Sequence, residues 1–220
     1  MTKTVFSMAL LIAALSVSTA TADVTYQLTS DHCTGNCLNA THPSAGTITV
    51  ANISGGVTIT VVLNSGFKFD SGGFDADFGF NLVGNPTIAG SASPNDFNLV
   101  STTAGSLHMD GTGFFEYGFN GTFPNGGGNA VPGPYTFTVT GAGVSTSSFE
   151  QNASGQFFAL DVASTVNGPA PDGGPKTGAV DASEVCTSCG QSTVPEPTSI
   201  GLLGSVLFVV GRTIRKRWIV

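Results

Sequence analysis

Apolar and polar residues alternate with a period of two along many short stretches of this chain. In residues 57–63 the odd positions are apolar and Thr58 and Thr60 stand between them, and residues 135–140 follow the same pattern. This period is typical of half-buried β-strands, because successive side chains point to opposite faces of a sheet. Similar stretches are 24–28, 47–50, 66–69, 78–83, 97–100, 114–119, 157–162 and, as a last strand, 179–182.

Gly, Pro, Asn and Asp cluster between these stretches, as expected for turns. Ser54, Gly55 and Gly56 join 47–50 to 57–63, which predicts a hairpin, whereas 125–134 and 168–178 are predicted loops. No stretch within residues 23–194 has the pattern of an amphipathic helix. We therefore expect an all-β fold in which two antiparallel sheets pack face to face, as in a sandwich or jelly roll.

Phenylalanine dominates the candidate core, and ten of the sixteen Phe fall between residues 67 and 123. Alternation places two aromatic groups on single faces: Phe78 and Phe80 with Leu82, and Phe115 with Tyr117 and Phe119. Such faces are what the core of a sandwich requires. The alternative for these aromatic residues is a platform for sugar rings.

Charged residues make up only 10% of the chain, and the formal net charge is −7. Within residues 23–194, thirteen acidic side chains stand against two basic ones, Lys68 and Lys176. Nucleic acid is therefore not an expected partner, because phosphate binding depends on Lys and Arg. The acidic balance suits a soluble exported domain.

The first 22 residues have the three parts of a secretory signal helix. Lys3 gives a positive start, residues 5–17 are mostly apolar, and Ala20 and Ala22 provide small residues for cleavage. We expect the Sec translocon and signal peptidase to process this segment, so that the mature chain begins at Asp23.

The C-terminal segment has three parts in a fixed order. Pro195, Glu196 and Pro197 precede an apolar stretch at about 198–214, which predicts a single transmembrane helix. Its seventeen residues would span roughly 26 Å, at the short end for a bilayer. A basic tail at 212–217 follows, with Arg212, Arg215, Lys216 and Arg217.

This arrangement resembles the PEP-CTERM sorting signal of Gram-negative bacteria, which is also labelled the C-terminal domain of ice-binding proteins. The resemblance implies a transient inner-membrane intermediate, cleavage near Pro-Glu-Pro by an exosortase, and delivery to the cell surface or extracellular matrix. The expected domains are a signal peptide (1–22), a β ectodomain (23–185), a linker with a cysteine pair (186–194) and the sorting signal (195–220).

The four cysteines form two close pairs, Cys33 with Cys37 and Cys186 with Cys189. An even number in an exported chain favours disulfides, of which three pairings exist. Local bridges fit a turn at each pair, whereas a bridge between the pairs would close about 150 residues and contribute roughly 5 kcal/mol. The metal alternative is a zinc site that adds His32 and His42 to the first pair.

Other candidate chemistry is sparse. Asp70, Asp75 and Asp77 offer oxygen ligands for calcium, although Asp and Gly also form solvated turns. The chain has none of the common hydrolase, zinc-protease or phosphate-loop motifs. Glu116 and Glu150 could serve as the carboxyl pair of a glycosidase, but only their being carboxylates points to that role. His32, His42 and His108 have no serine or acidic partner at a diagnostic spacing. We expect no cofactor and no enzymatic activity.

The function that fits these features is an exported, exosortase-processed protein of the cell envelope or extracellular matrix with a non-catalytic structural or adhesive domain. The alternative is a carbohydrate- or surface-binding module, with exopolysaccharide as the candidate partner. Ice binding would need a flat array of Thr-x-Thr strands, for which residues 47–49, 58–60 and 136–140 are candidates. A hydrolase is the remaining hypothesis.

Overall fold

A computed structural model of the chain describes residues 22–72, 74–101 and 105–189. The predicted signal peptide up to Thr21 and the whole sorting signal lie outside these residues. The described strands, all antiparallel, are β1 (Val24–Leu28), β2 (Ser30–Asp31), β3 (Gly46–Ile53), β4 (Gly56–Leu63), β5 (Phe67–Phe69), β6 (Phe78–Leu82), β7 (Ile88–Ser93), β8 (Phe97–Ser101), β9 (Leu107–Met109), β10 (Gly113–Phe115), β11 (Tyr117–Gly121), β12 (Tyr135–Gly141), β13 (Phe149–Glu150), β14 (Phe158–Ser164) and β15 (Lys176–Ala182).

The described part of the chain is all-β, as the alternating pattern predicts. Its only helical elements are single 3-10 turns at Gly127–Asn129 and Thr146–Ser148. Within the same residues, no helix has the length and apolar character to cross a membrane.

The first sheet has five strands in the order β1-β3-β4-β12-β7. β3 and β4 form the predicted hairpin, and Gly55 in its turn has φ 77°, a left-handed conformation that glycine adopts without steric cost. The alternation predicted for 57–63 and 135–140 is confirmed, because Val57, Ile59 and Val61 are buried while the threonines between them face outward.

The second sheet follows the path β2-β15-β14-β6-β11-β8, with β5 added to β14 and β13 added to β6. The two sheets face each other across a core rich in aromatic rings, which gives a β-sandwich-like fold. Phe78 of the second sheet lies 4.8 Å from Phe137 of the first, measured between ring centroids, and Phe119 lies 4.6 Å from Phe137. Phe78, Phe80 and Leu82 all point into this core, as predicted.

The predicted strand 114–119 is in fact two strands, and this part of the prediction is wrong. Tyr117 and Phe119 enter the main core, whereas Phe115 lies in a smaller cluster with Leu107 and Met109. The chain breaks its alternation at Glu116, whose backbone N–H donates to Asn81 Oδ1 (2.8 Å). The β9–β10 hairpin consequently covers part of the outer face of the second sheet.

The described domain continues past Val185, the boundary expected from the sequence. Tyr26 and Val185 form an isolated antiparallel bridge, and the Cys186 N–H donates to the Thr25 carbonyl (2.7 Å). The cysteine pair assigned to a linker therefore starts in contact with β1.

Candidate functional site

Both cysteine pairs form local disulfides, Cys33–Cys37 and Cys186–Cys189. The sulfurs of the first pair are therefore not thiolates that could hold zinc. The rings of His32 and His42 also have other neighbours: His32 Nε2 lies 2.9 Å from Asp181 Oδ2, and His42 Nδ1 lies 3.3 Å from the Thr41 hydroxyl. The described residues thus do not form the predicted zinc alternative.

Two of the three calcium candidates, Asp70 and Asp77, share a buried site. A carboxylate that the sequence analysis did not single out, Asp161, lies beside them. Asp70 and Asp77 mark the two ends of the loop between β5 and β6, and both are only 3% exposed. The Asp70 N–H donates to the Asp161 carbonyl (3.1 Å), and the Asp161 N–H donates to the Asp77 carbonyl (2.7 Å). Both ends of the loop are therefore held opposite Asp161 of β14.

Asp75, by contrast, points elsewhere. One of its oxygens accepts the His108 N–H (2.9 Å), so it belongs to the contact between the loop and β9. The acidic cluster is consequently Asp70, Asp77 and Asp161.

Burial raises the pKa of each carboxyl in the acidic cluster. For Asp161, 2% exposed, desolvation followed by repulsion from Asp70 and Asp77 raises the pKa to about 9. Desolvation also raises the pKa of Asp77, although the Gly72 and Gly121 N–H groups donate to its carboxylate (3.1 and 2.7 Å). Asp161 is thus the carboxyl most disposed to keep its proton at neutral pH.

The acidic cluster does not bring three ligand atoms within the reach of a single ion. Among the described residues, Asp31, Cys33 and Cys37 are the one group of at least three His, Cys, Asp or Glu side chains whose ligand atoms all lie within 4.8 Å of one another. Its sulfurs are joined in a disulfide, so this group is not a metal centre.

His32, Ser30 and Asp181 are close but do not form a catalytic relay. The Ser30 hydroxyl lies 3.2 Å from His32 Nε2, the same nitrogen that contacts Asp181. A relay needs the serine and the acid on different ring nitrogens. Asp181 is fully buried and desolvation raises its pKa while His32 lowers it, which fits a structural pair.

Glu116 and Glu150 flank Asn81 on the two sides of β6. Asn81 is paired with Glu150, and its Oδ1 accepts the Glu116 N–H. Desolvation and then repulsion from Glu150 raise the pKa of Glu116. Glycoside hydrolysis needs space for substrate between its two carboxyl groups, whereas the buried Asn81 separates the backbones of Glu116 and Glu150.

An exposed aromatic residue lies on the β9–β10 hairpin. The ring of Phe114, 55% exposed, packs against His108 with centroids 4.9 Å apart. Exposed aromatic rings can contact the apolar faces of sugars, because binding removes their large apolar faces from water. The alternation that put Phe115, Tyr117 and Phe119 on the core face placed Phe114 on the opposite face, in agreement with its exposure.

The outer face of the first sheet carries a two-dimensional array of hydroxyl groups. The register places Thr25, Thr49, Thr60, Thr136 and Ser93 in one row across all five strands, with Thr25 buried at the β1 end of the row. Thr25 and Thr49 hydroxyls lie 3.2 Å apart, and those of Thr60 and Thr136 lie 3.3 Å apart. The five strands contain no charged residue. We call this surface the threonine face.

The remaining sequence-derived sites fall outside the described residues or at their border. Asp23, the expected first residue of the mature chain, immediately precedes β1. The sorting residues Pro195, Glu196 and Pro197 and the basic tail are outside the described residues, as is Ala20.

Comparison with known proteins yields no relative. No protein-family profile, curated protein sequence or solved structure matches this chain.

Proposed function

We propose that this chain is an exported, exosortase-processed protein of the cell envelope or extracellular matrix, with a non-catalytic structural and adhesive β-sandwich. The two disulfides support export, because such bonds persist in oxidising compartments and are rare in the cytosol. The order of signals at the two ends of the sequence supports processing at both termini.

Mass spectrometry of the protein from its own host tests export and processing. We expect an N-terminus at Asp23 and a C-terminus near Pro195–Pro197, with the protein in the surface or matrix fraction. Intact cytosolic protein that retains Trp218 and four reduced thiols would contradict the proposal.

The threonine face is the observation that carries the adhesive role. Threonine is stiff at χ1, so the hydroxyl and methyl groups of the face are ordered before any partner arrives. A face without charge suits contact with uncharged polymers. Substituting both Thr58 and Thr138 with lysine, two outward positions paired on β4 and β12, should lower retention of the protein in the matrix fraction.

The control is Thr165, an exposed residue in the loop that follows β14. Thr165→Lys adds charge away from the threonine face and should leave retention unchanged. Equal retention of all variants would remove the adhesive role while leaving export intact.

The second candidate is carbohydrate binding, favoured by the exposed Phe114 ring on His108. Phe114→Ala should abolish the retardation of the protein in gels containing host exopolysaccharide. Val83→Ala is the control, because Val83 is also exposed (59%) and apolar but not aromatic. Equal mobility of wild type and Phe114→Ala would exclude this site.

A further inference from the structure

One side of the sandwich presents two strand edges. β7 ends the order of the first sheet and β8 ends the path of the second. Only Pro94, Asn95 and Asp96 join these strands, so the two edges lie on the same side of the domain. Among the described residues, none pairs with the outer edge of β7, whose peptide groups can therefore pair with another strand.

β7 lacks the features that usually prevent edge pairing. Its sequence, Ile-Ala-Gly-Ser-Ala-Ser, has no charge and no proline, although inward charges and prolines are common on edge strands. Pro86 and Pro94 flank the strand without interrupting it, so they set its length at about six residues. Ala89 and Ser91 are small and exposed, and leave access to the backbone.

The opposite edge of the same sheet is already occupied. On β1, the Thr25 carbonyl accepts the Cys186 N–H, and Tyr26 bridges to Val185. Of the two edges of the five-stranded sheet, β7 is therefore the one left open among the described residues.

Charge decides which partner suits this edge. The region 23–194 has thirteen acidic and two basic side chains, so two copies repel each other over most surfaces. The five-stranded sheet is an exception because its strands are uncharged. The nearest carboxylate in sequence, Asp96, accepts the Tyr135 hydroxyl (2.7 Å) and is turned to that partner. A charged peptide would find no opposite charge on β7. A second copy of this acidic chain would meet no like charge there.

We infer that β7 is a strand-pairing site for a second copy of this chain. Antiparallel pairing of β7 with β7 is a two-fold, self-complementary contact. It joins two five-stranded sheets into one of ten strands and doubles the threonine face. The inference goes beyond the proposed function and does not depend on export.

Sedimentation velocity of the full-length chain in mild detergent tests this site over a concentration series. We expect a reversible monomer–dimer equilibrium. Replacing both Ala89 and Ser91 with lysine should weaken the dimer by about tenfold or more, because the two-fold axis brings like charges together. Both side chains are exposed, and circular dichroism verifies that the variant is folded.

Thr58→Lys is the matched control, since it adds a charge to the same face on the central strand β4 and away from the edge. We expect this variant to dimerise like wild type. Hydrogen exchange should show protection of β7 amides that increases with concentration, with no such change in β1.

Three results would overturn the inference. The first is a wild-type protein that stays monomeric. The second is a dimer that persists in the variant with lysines on β7, which would indicate association through the apolar C-terminal segment. The third is a dimer broken by Thr58→Lys, which would indicate face-to-face stacking of the sheets.

Discussion

Replacing Asp161 with asparagine should stabilise the domain at neutral pH. The Asp161 carboxyl is 2% exposed and lies beside two further buried carboxyls, Asp70 and Asp77. Asparagine has nearly the same shape and carries no charge at any pH. The substitution therefore removes the cost of ionisation while preserving the packing on β14.

The magnitude follows from the pKa of Asp161, which rises from 3.8 in the unfolded chain to about 9 in the folded one. Below pH 3.8 both states hold the proton and the group has no effect. Between the two values the unfolded state alone releases it, so the free energy of unfolding falls by about 1.4 kcal/mol per pH unit. By pH 7 the loss is on the order of 4 kcal/mol, and it levels off above pH 9.

Urea unfolding followed by circular dichroism, at pH 5 and pH 7 in the presence of EDTA, measures this effect. We expect wild type to lose stability between the two pH values by roughly 3 kcal/mol and Asp161→Asn to lose much less. A smaller slope should remain in the variant, because burial also raises the pKa of Asp70 and Asp77. Asp110→Asn, on an exposed turn, should behave like wild type. A wild-type stability that is unchanged from pH 5 to pH 7 would refute the reasoning.

Three further predictions concern packing and cross-links. Replacing Cys33 and Cys37 with serine should lower the free energy of unfolding by only about 2 kcal/mol, since the bridge closes a very short loop; a loss near 5 kcal/mol in urea unfolding would contradict this. Gly79→Ala should destabilise by about 1–3 kcal/mol, because its Cβ would lie 2.8 Å from Met109 Sδ, and an unchanged melting temperature would show that the hairpin yields. Phe137→Ala removes a fully buried ring between the sheets and should cost about 3–5 kcal/mol, with a cost below 1 kcal/mol counting against the described core.

The strands themselves were largely predictable, because period-two alternation and turn residues are local properties of the chain. The hairpin at Ser54 and Gly55 and the burial of Phe78 and Phe80 follow from residues close in sequence. The sequence left three pairings of the four cysteines open, and the structure shows the two local ones. The missed strand β7 shows the limit of this reasoning. Its alanine, glycine and serine residues have weak β propensity, and its place in the sheet comes from pairing with β12.

The sequence by itself determined the all-β class, the acidic charge and the faces on which threonines lie. Only the tertiary structure decided which strands are neighbours, because alternation specifies the face of a side chain and carries no information about the partner strand. Tertiary contacts thus bring Asp161 to Asp70 and Asp77, and align separate threonine strands into one uncharged face. They also cover one edge of that sheet while leaving β7 open among the described residues.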